Sequence, residues 1–323
     1  MNSISRRTFL AGSAGAAALA LTACGGSGSS DASGDKTYKI GVLQLTQHAA
    51  LDAANEGFVE ALDASGIKYT VDQQNANNDQ SACATIASKL VGDGDDLIFA
   101  IATPAAQAVA AATSDIPIVG SAITDYATSG LVADNDKPGG NLTGTSDMNP
   151  VDDQIAMLQK VLPEAKHIGM LYCTAESNSQ LQIEMAEAAC DKAGLTTERF
   201  TVSSSNEIQS VVESMVGKVD AGYSPTDNTI AAAAAQVGQI AKEGKLPFIT
   251  GEENMCMGMG ICTVSIDYKE LGKMAGEMAV KILKGEDTPA NMAIETEAGD
   301  QLQTIKNEEM AEALGIDLSM LDA

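Results

Sequence analysis

The 323-residue chain has no tryptophan, and aromatic residues make up only 3% of it. Surfaces that stack nucleobases or sugar rings are built from such side chains, so a stacking platform is not expected. Basic residues are scarce too: 19 Lys and Arg stand against 44 Asp and Glu, a net charge of −25. A chain this acidic is repelled by nucleic acid and by anionic lipid. Arg6 and Arg7 lie in the N-terminal leader, which leaves Arg199 as the sole arginine beyond it. An anionic ligand must therefore be held mainly by other donors. Motifs that carry catalysis are missing as well. There is no G-x-S-x-G elbow, no H-E-x-x-H and no C-x-x-C; Gly272-Lys273 lacks the rest of a phosphate loop, and Gly258-Met259-Gly260 lacks the third glycine of a dinucleotide loop. Nothing here proposes an enzyme, a cofactor or a metal. Apolar residues at 45% and charged residues at 20% are those of an ordinary folded protein.

The leader carries an address. Ser5-Arg6-Arg7-Thr8-Phe9-Leu10 is a twin-arginine pattern, followed by an apolar run from Ala11 to Leu21. The run is too short, and too rich in Ala and Gly, for a membrane span. Leu21-Thr22-Ala23-Cys24 then has the form of a bacterial lipobox. The expectation is a lipoprotein signal over residues 1–23, cleaved before a lipid-modified Cys24. Residues 24–36 follow as a Gly/Ser-rich flexible tether. The folded part, 300 residues at most, would then sit outside the cell, held to the membrane by its lipid alone. That length suits two packed lobes. Five further cysteines remain: Cys83, Cys173, Cys190, Cys256 and Cys262. The Cys256–Cys262 spacing is compatible with a hairpin disulfide and equally with two reduced, buried thiols.

Past the tether, short apolar runs alternate with amphipathic helical patterns. Strands are expected at Lys39–Leu45, Tyr69–Asp72, Leu97–Ala102, Ile116–Gly120 and Asn141–Ser146, with helices between them. The alternation then restarts, with a helix over Val151–Val161 and strands at Lys166–Tyr172, Thr196–Val202, Val219–Tyr223, Leu246–Thr250 and Cys262–Ile266. One helix is expected over Pro225–Lys242 and a last one over Tyr268–Leu283. Two such sets predict an α/β protein of two Rossmann-like lobes, each a parallel sheet flanked by helices, with a cleft between. The two sets echo each other. FAIATPAAQAVAAA (99–112) and AGYSPTDNTIAAAA (221–234) each read as a strand, a hydroxyl-Pro pair and an alanine-rich helix. Thr103 and Ser224 are suited to helix N-caps, with Pro104 and Pro225 at the first helical position. Such turns lie at the strands' carboxyl ends, where free N–H groups meet ligands; both are equally good as plain helix starts.

Several stretches, in order, resemble one family. They are Gln44 to Ala53, Ala102 to Gln107, Ile123-Thr124-Asp125 with Gly130-Leu131-Val132, Asn141 to Asp147, Tyr223 to Asn228, Gly251-Glu252-Glu253, and Ile266 to Gly272. Together they are similar to the substrate-binding lipoproteins of ABC importers related to tryptophan- and tyrosine-binding proteins. The resemblance implies a type I periplasmic-binding-protein fold, three crossover strands acting as a hinge, and no catalysis. It also implies partner permease and ATPase subunits, and a small amino acid, aromatic foremost, closed between the lobes. It divides the chain into lobe I (37–146 with 267–287) and lobe II (147–266 with 288–323), in a monomer. It suggests as ligand contacts Thr103 and Gln107, Thr124 and Asp125, Ser146 and Asp147, Tyr172, Ser177 and Asn178, Asp227 and Asn228, and Glu252. His48, just past the first strand's carboxyl end, and Leu51, as an apolar wall, are expected beside them from their own positions. The loop Tyr172-Cys173-Thr174-Ala175-Glu176-Ser177-Asn178-Ser179 departs from the family's Asn and Pro at Cys173 and Ser177. Among the acids, Asp125, Asp147, Asp227 or Glu252 would meet a ligand ammonium. A sugar or nucleoside on the same fold is the competing reading.

Overall fold

The computed structural model describes residues 36–297 and 301–322. The expected leader, lipid site at Cys24 and nearly all of the tether lie outside the described residues. The chain opens with β1 (Thr37–Gln44), α1 (Ala49–Ser65), β2 (Lys68–Asn75), α2 (Gln80–Asp93), β3 (Leu97–Ile101), α3 (Thr103–Ala112), β4 (Ile118–Ile123) and β5 (Leu142–Ser146). A second run follows: α4 (Val151–Val161), β6 (His167–Cys173), α5 (Ser177–Lys192), β7 (Thr196–Val202), α6 (Ile208–Met215), β8 (Ala221–Ser224), α7 (Asn228–Ala231), α8 (Ala234–Gly244), β9 (Phe248–Thr250), α9 (Glu253–Met259) and β10 (Cys262–Ser265). It ends with α10 (Tyr268–Lys284), β11 (Glu295–Thr296), β12 (Gln303–Lys306) and α11 (Glu308–Leu314).

Two sheets result, with strand orders β11-β5-β4-β3-β1-β2 and β12-β10-β9-β8-β6-β7. All pairings are parallel except β10 with β12. The central strands are buried on both faces, which explains their unbroken apolar runs: β3 and β4 are buried at every residue. In the first lobe, Phe58 of α1 stacks on Phe99 of β3 with ring centroids 3.8 Å apart. The second lobe splits its core into two clusters, one around Met170 and Ile249, the other around Phe200 and Phe248.

Three connections cross between the lobes, after β5, after β10 and after β11. They are tied side by side. Asn149 Oδ1 accepts from Ile266 N at 3.1 Å, Glu297 Oε2 accepts from Asp267 N at 2.8 Å, and Thr296 Oγ1 donates to Ser146 O at 2.9 Å. The third crossing corrects one sequence boundary. β11 pairs with β5, so the chain stays with the first lobe through Thr296 rather than joining the second at 288.

α10 returns the chain to the first lobe by packing along α1. The two helices approach so closely that a Cβ on Gly57 would sit 2.0 Å from Lys269 O, and one on Gly272 1.9 Å from Ala54 O. Only glycine permits that spacing. It sets the start of α10, Tyr268, beside the start of α1. The expected single helix over Pro225–Lys242 is in fact two. It begins three residues later than Pro225, because Asp227 and not Ser224 is the N-cap, and it breaks at Ala232–Ala233. No disulfide joins Cys256 to Cys262: all five described cysteines are free and buried, with Cys256 on α9 and Cys262 on β10.

Candidate functional site

A small, largely enclosed pocket lies between the lobes. From the first lobe come His48, Ala50 and Leu51 at the start of α1, and Ala122 in β4. The crossings give Asp147 and Tyr268. The second lobe gives Asn178 of α5, Thr226 to Asn228 and Ala231 at α7, and Glu252 with Met255 at α9. The elements converge here because each contributes the carboxyl end of a strand or the N-terminus of the helix that follows, the usual place for ligands in open α/β sheets. Ala50, Leu51, Ala122, Ala231 and Met255 give it an apolar wall, beside a markedly acidic one.

The acids are buried and have no cationic partner among the lining residues. Asp147 is 4% exposed; its Oδ2 accepts from the Tyr268 hydroxyl at 2.8 Å, while Oδ1 has no hydrogen-bond partner among the described residues. Burial pushes its carboxyl up to about 6, against the opposing hydrogen bond from Tyr268. Burial likewise lifts Glu252 to about 7, although its oxygens accept from the backbone N–H groups of Asn254 and Met255 at 2.6 Å. Asp227 is raised well above the usual carboxylate range by burial, with the charge of Glu176 beside it as the second cause. It accepts from Cys173 N at 2.6 Å and Ile230 N at 2.9 Å.

Glu176 lies behind the cavity wall, buried against Asn228 and Thr229. Its oxygens accept from Asn228 N, Asn228 Nδ2, Thr229 N and Thr229 Oγ1, at 2.6–3.1 Å. Together Asp227 and Glu176 cap the N-terminus of α7 completely. That end is therefore closed to a ligand carboxylate. The start of α1 is not: His48 stands at its N-cap with no side-chain capping bond.

Of the residues expected from sequence, His48, Leu51, Asp147, Asn178, Asp227, Asn228 and Glu252 line the cavity. The others have different positions. Gln107 is exposed and donates to Ser129 O at 3.1 Å. Asp125 turns back on its own loop, accepting from Thr128 N, Thr128 Oγ1 and Asn135 Nδ2. Ser146 Oγ donates to Thr124 O at 2.7 Å, a tie within the hinge. Thr124 is buried beside the cavity, its hydroxyl accepting from Gln182 Nε2 at 3.2 Å. Tyr172 is packed in the second-lobe core, where Arg199 Nη1 reaches its hydroxyl at 3.4 Å. Ser177 is exposed at the first turn of α5. Thr103 and Ser224 are buried, but neither hydroxyl makes a cap; each lacks a partner among the described residues. Arg199 itself is engaged by Glu187 at 2.6 and 2.7 Å on the second-lobe surface. Tyr268, Thr226 and Glu176 were not among the expected contacts, although each lies inside one of the stretches that resemble the family.

The lobes touch across the cleft. Asn78 Nδ2 donates to Thr229 Oγ1 at 2.9 Å, Gln80 Nε2 to Ala175 O at 3.0 Å, and Asn228 Oδ1 lies 3.1 Å from His48 Nε2. This arrangement is matched among solved structures. The chain superposes with a TM-score of 0.85 on the ABC domain in complex with L-Trp from Streptococcus pneumoniae, at 40% identity, covering 89% of this chain and 98% of that one. A ligand-free, open substrate-binding protein with adhesive properties from Clostridium difficile gives only 0.66, at 42% identity over 87% and 95% of the two chains. Here the lobes are in contact through the three hydrogen bonds across the cleft. In sequence the chain is 39% identical to the tyrosine-binding protein of Clostridioides difficile (strain R20291), over 88% of this chain and 87% of that protein. Residues 39–320 match the model of the ABC transporter substrate-binding protein family, and the chain belongs to that family.

Proposed function

We propose that this protein is the extracytoplasmic, lipid-anchored receptor of an ABC importer, and that it closes on a free amino acid, an aromatic one foremost. It would hand that ligand to the permease. The observation that carries this reading is the acidic wall of the cavity: Asp147, Asp227 and Glu252 are buried together with no lysine or arginine among the lining residues. Buried carboxylates without a counter-ion are costly. A ligand that brings an ammonium group offsets that cost, and a sugar does not. The apolar wall from Leu51 to Met255 receives the side chain, and relatives whose names state tyrosine and L-Trp support an aromatic one. The uncapped start of α1 is the N–H cluster best placed for the ligand carboxylate.

The test is isothermal calorimetry over the amino acids, with sugars and nucleosides as competing classes. Tyrosine, tryptophan or phenylalanine is expected to bind at roughly micromolar strength or tighter. Uptake of a sugar or nucleoside with no amino acid bound would overturn the reading. Closure has its own check: solution scattering should show the free protein more extended than the ligand-saturated one.

A further inference from the structure

Three buried polar atoms that line this one cavity have no hydrogen-bond partner among the described residues: His48 Nδ1, Asp147 Oδ1 and Asn178 Oδ1. Their chemical character can be worked out from the bonds their neighbours make. Asn178 Nδ2 donates to Thr226 O at 3.0 Å, so the amide is oriented and Oδ1 is an acceptor. Asp147 Oδ2 is taken by the Tyr268 hydroxyl, and Oδ1 is an acceptor with nothing to accept.

His48 is set by a relay. Asn228 Nδ2 donates to Glu176 Oε2 at 2.6 Å, which turns Asn228 Oδ1 toward His48. That oxygen can only accept, so His48 Nε2, 3.1 Å away, carries the hydrogen. Burial holds the imidazole pKa below its ordinary value, against the raising effect of Asn228, Glu176 and Asp52, so the ring is neutral and Nδ1 is a bare lone pair.

All three are thus acceptors, and none is a donor. Asp227 and Glu252 line the same cavity but spend their oxygens on backbone N–H groups. Asp147 and Asn178 are each 4% exposed, so water does not relieve them readily.

We infer that His48 Nδ1, Asp147 Oδ1 and Asn178 Oδ1 form the seat of a primary ammonium group, one acceptor for each of its three N–H bonds. This rests on the amino-acid reading above and narrows it. Asp147 supplies the charge, and His48 and Asn178 are neutral acceptors that count hydrogens. A secondary ammonium offers two donors and a hydroxyl one, leaving buried acceptors unmatched. The three residues come from the first lobe, a crossing and the second lobe, so one ammonium group bridges all three when the lobes shut. Glu176 and Asn228 are positioning residues: they never touch the ligand in this scheme but fix the tautomer of His48.

The experiment uses the unaltered protein and three probes: L-tyrosine, N-methyl-L-tyrosine and its α-hydroxy counterpart, 3-(4-hydroxyphenyl)lactate. Both analogues are expected to bind at least about tenfold more weakly than tyrosine, the α-hydroxy acid most weakly because it also lacks charge. The chain has only two histidines, His48 and His167. A long-range proton–nitrogen spectrum can therefore assign the His48 tautomer directly. Nε2–H with an unprotonated Nδ1 is expected, and tyrosine should shift the Nδ1 resonance. Tyrosine binding with either analogue equally tight, or a His48 ring protonated at Nδ1, overturns this inference alone. Tyrosine, tryptophan and phenylalanine all failing to bind brings down the functional reading and this one with it.

Discussion

The segments 99–112 and 221–234 echo each other in sequence and part company in structure. After β3, α3 begins at once at Thr103, with Ala102 in a left-handed conformation (φ 83°, ψ 152°) and no side-chain cap. After β8, three residues intervene before α7, whose N–H groups are taken by Asp227 and by Glu176 from another loop. The shared hydroxyl-Pro pair opens α3 but not α7. Two acids set the start of α7, because a carboxylate accepts from several backbone N–H groups at once and a hydroxyl from one. The first-lobe turn stores backbone strain, and the second-lobe turn stores charge.

The strongest way to break this contrast is Glu176→Ala. Four hydrogen bonds vanish and two buried N–H groups lose their partner, so the protein should lose about 3 kcal/mol in denaturant titration. A loss under about 1 kcal/mol would mean that the second-lobe turn does not depend on the acid. Next is Asp147→Asn, which removes the charge from the crossing. Tyrosine affinity should fall about thirtyfold or more by calorimetry, while melting temperature holds or rises, since a buried, unpartnered carboxylate is gone.

Acidity gives a third comparison. Asp147 and Glu252 have folded-state values of about 6 and 7, above their ordinary 3.8 and 4.5, and Asp227 is raised as well. The folded chain therefore holds protons more tightly than the unfolded one. Stability of the ligand-free protein should fall as pH rises from those ordinary values through about 6 and 7. A bound ammonium offsets the charge, so the gain in melting temperature from tyrosine should be larger at the alkaline end of that window. A gain independent of pH would place the ligand away from these acids. The two smallest effects lie in the first-lobe turn. Ala102→Gly should stabilise by about 1 kcal/mol, because the observed backbone conformation is one glycine adopts without strain. Thr103→Val should change stability by no more than about 0.5 kcal/mol, since the hydroxyl has no partner to lose. A sharp drop in tyrosine affinity in that variant would return Thr103 to the binding site.

Periodicity carried much of the fold. The expected spans of α4 and β7 coincide with the observed Val151–Val161 and Thr196–Val202, and α10 runs one residue past the expected Leu283. These elements bury one clear face, so the pattern is in the residues themselves. α9 left no such trace. Its seven residues, ENMCMGM, have no helical period worth reading, and it forms because Glu252 caps it and Met255, Cys256 and Met259 are buried. The two strands that flank the third crossing, β11 and β12, escaped for a similar reason: at two and four residues, mostly exposed, they carry little pattern.

The site was legible in part. His48 could be found because it follows a strand end, and Asp147, Asn178 and Asp227 because they stand in stretches that resemble the family. Asp125, Gln107 and Ser177 occupy comparable sequence positions, yet their side chains satisfy themselves on their own loops or face solvent. No spacing rule separates the two groups.

The residues alone determined the layers: which runs are apolar on both sides, which helices are amphipathic, and that the chain is too acidic and too poor in arginine to hold an anion by guanidinium. Only the tertiary structure decided which acids are left without a hydrogen bond. That depends on where two distant loops meet, as when Glu176 occupies the N–H groups of α7 and turns Asn228 toward His48. Hydrogen-bond satisfaction is a property of neighbours in space, and a linear pattern does not contain it.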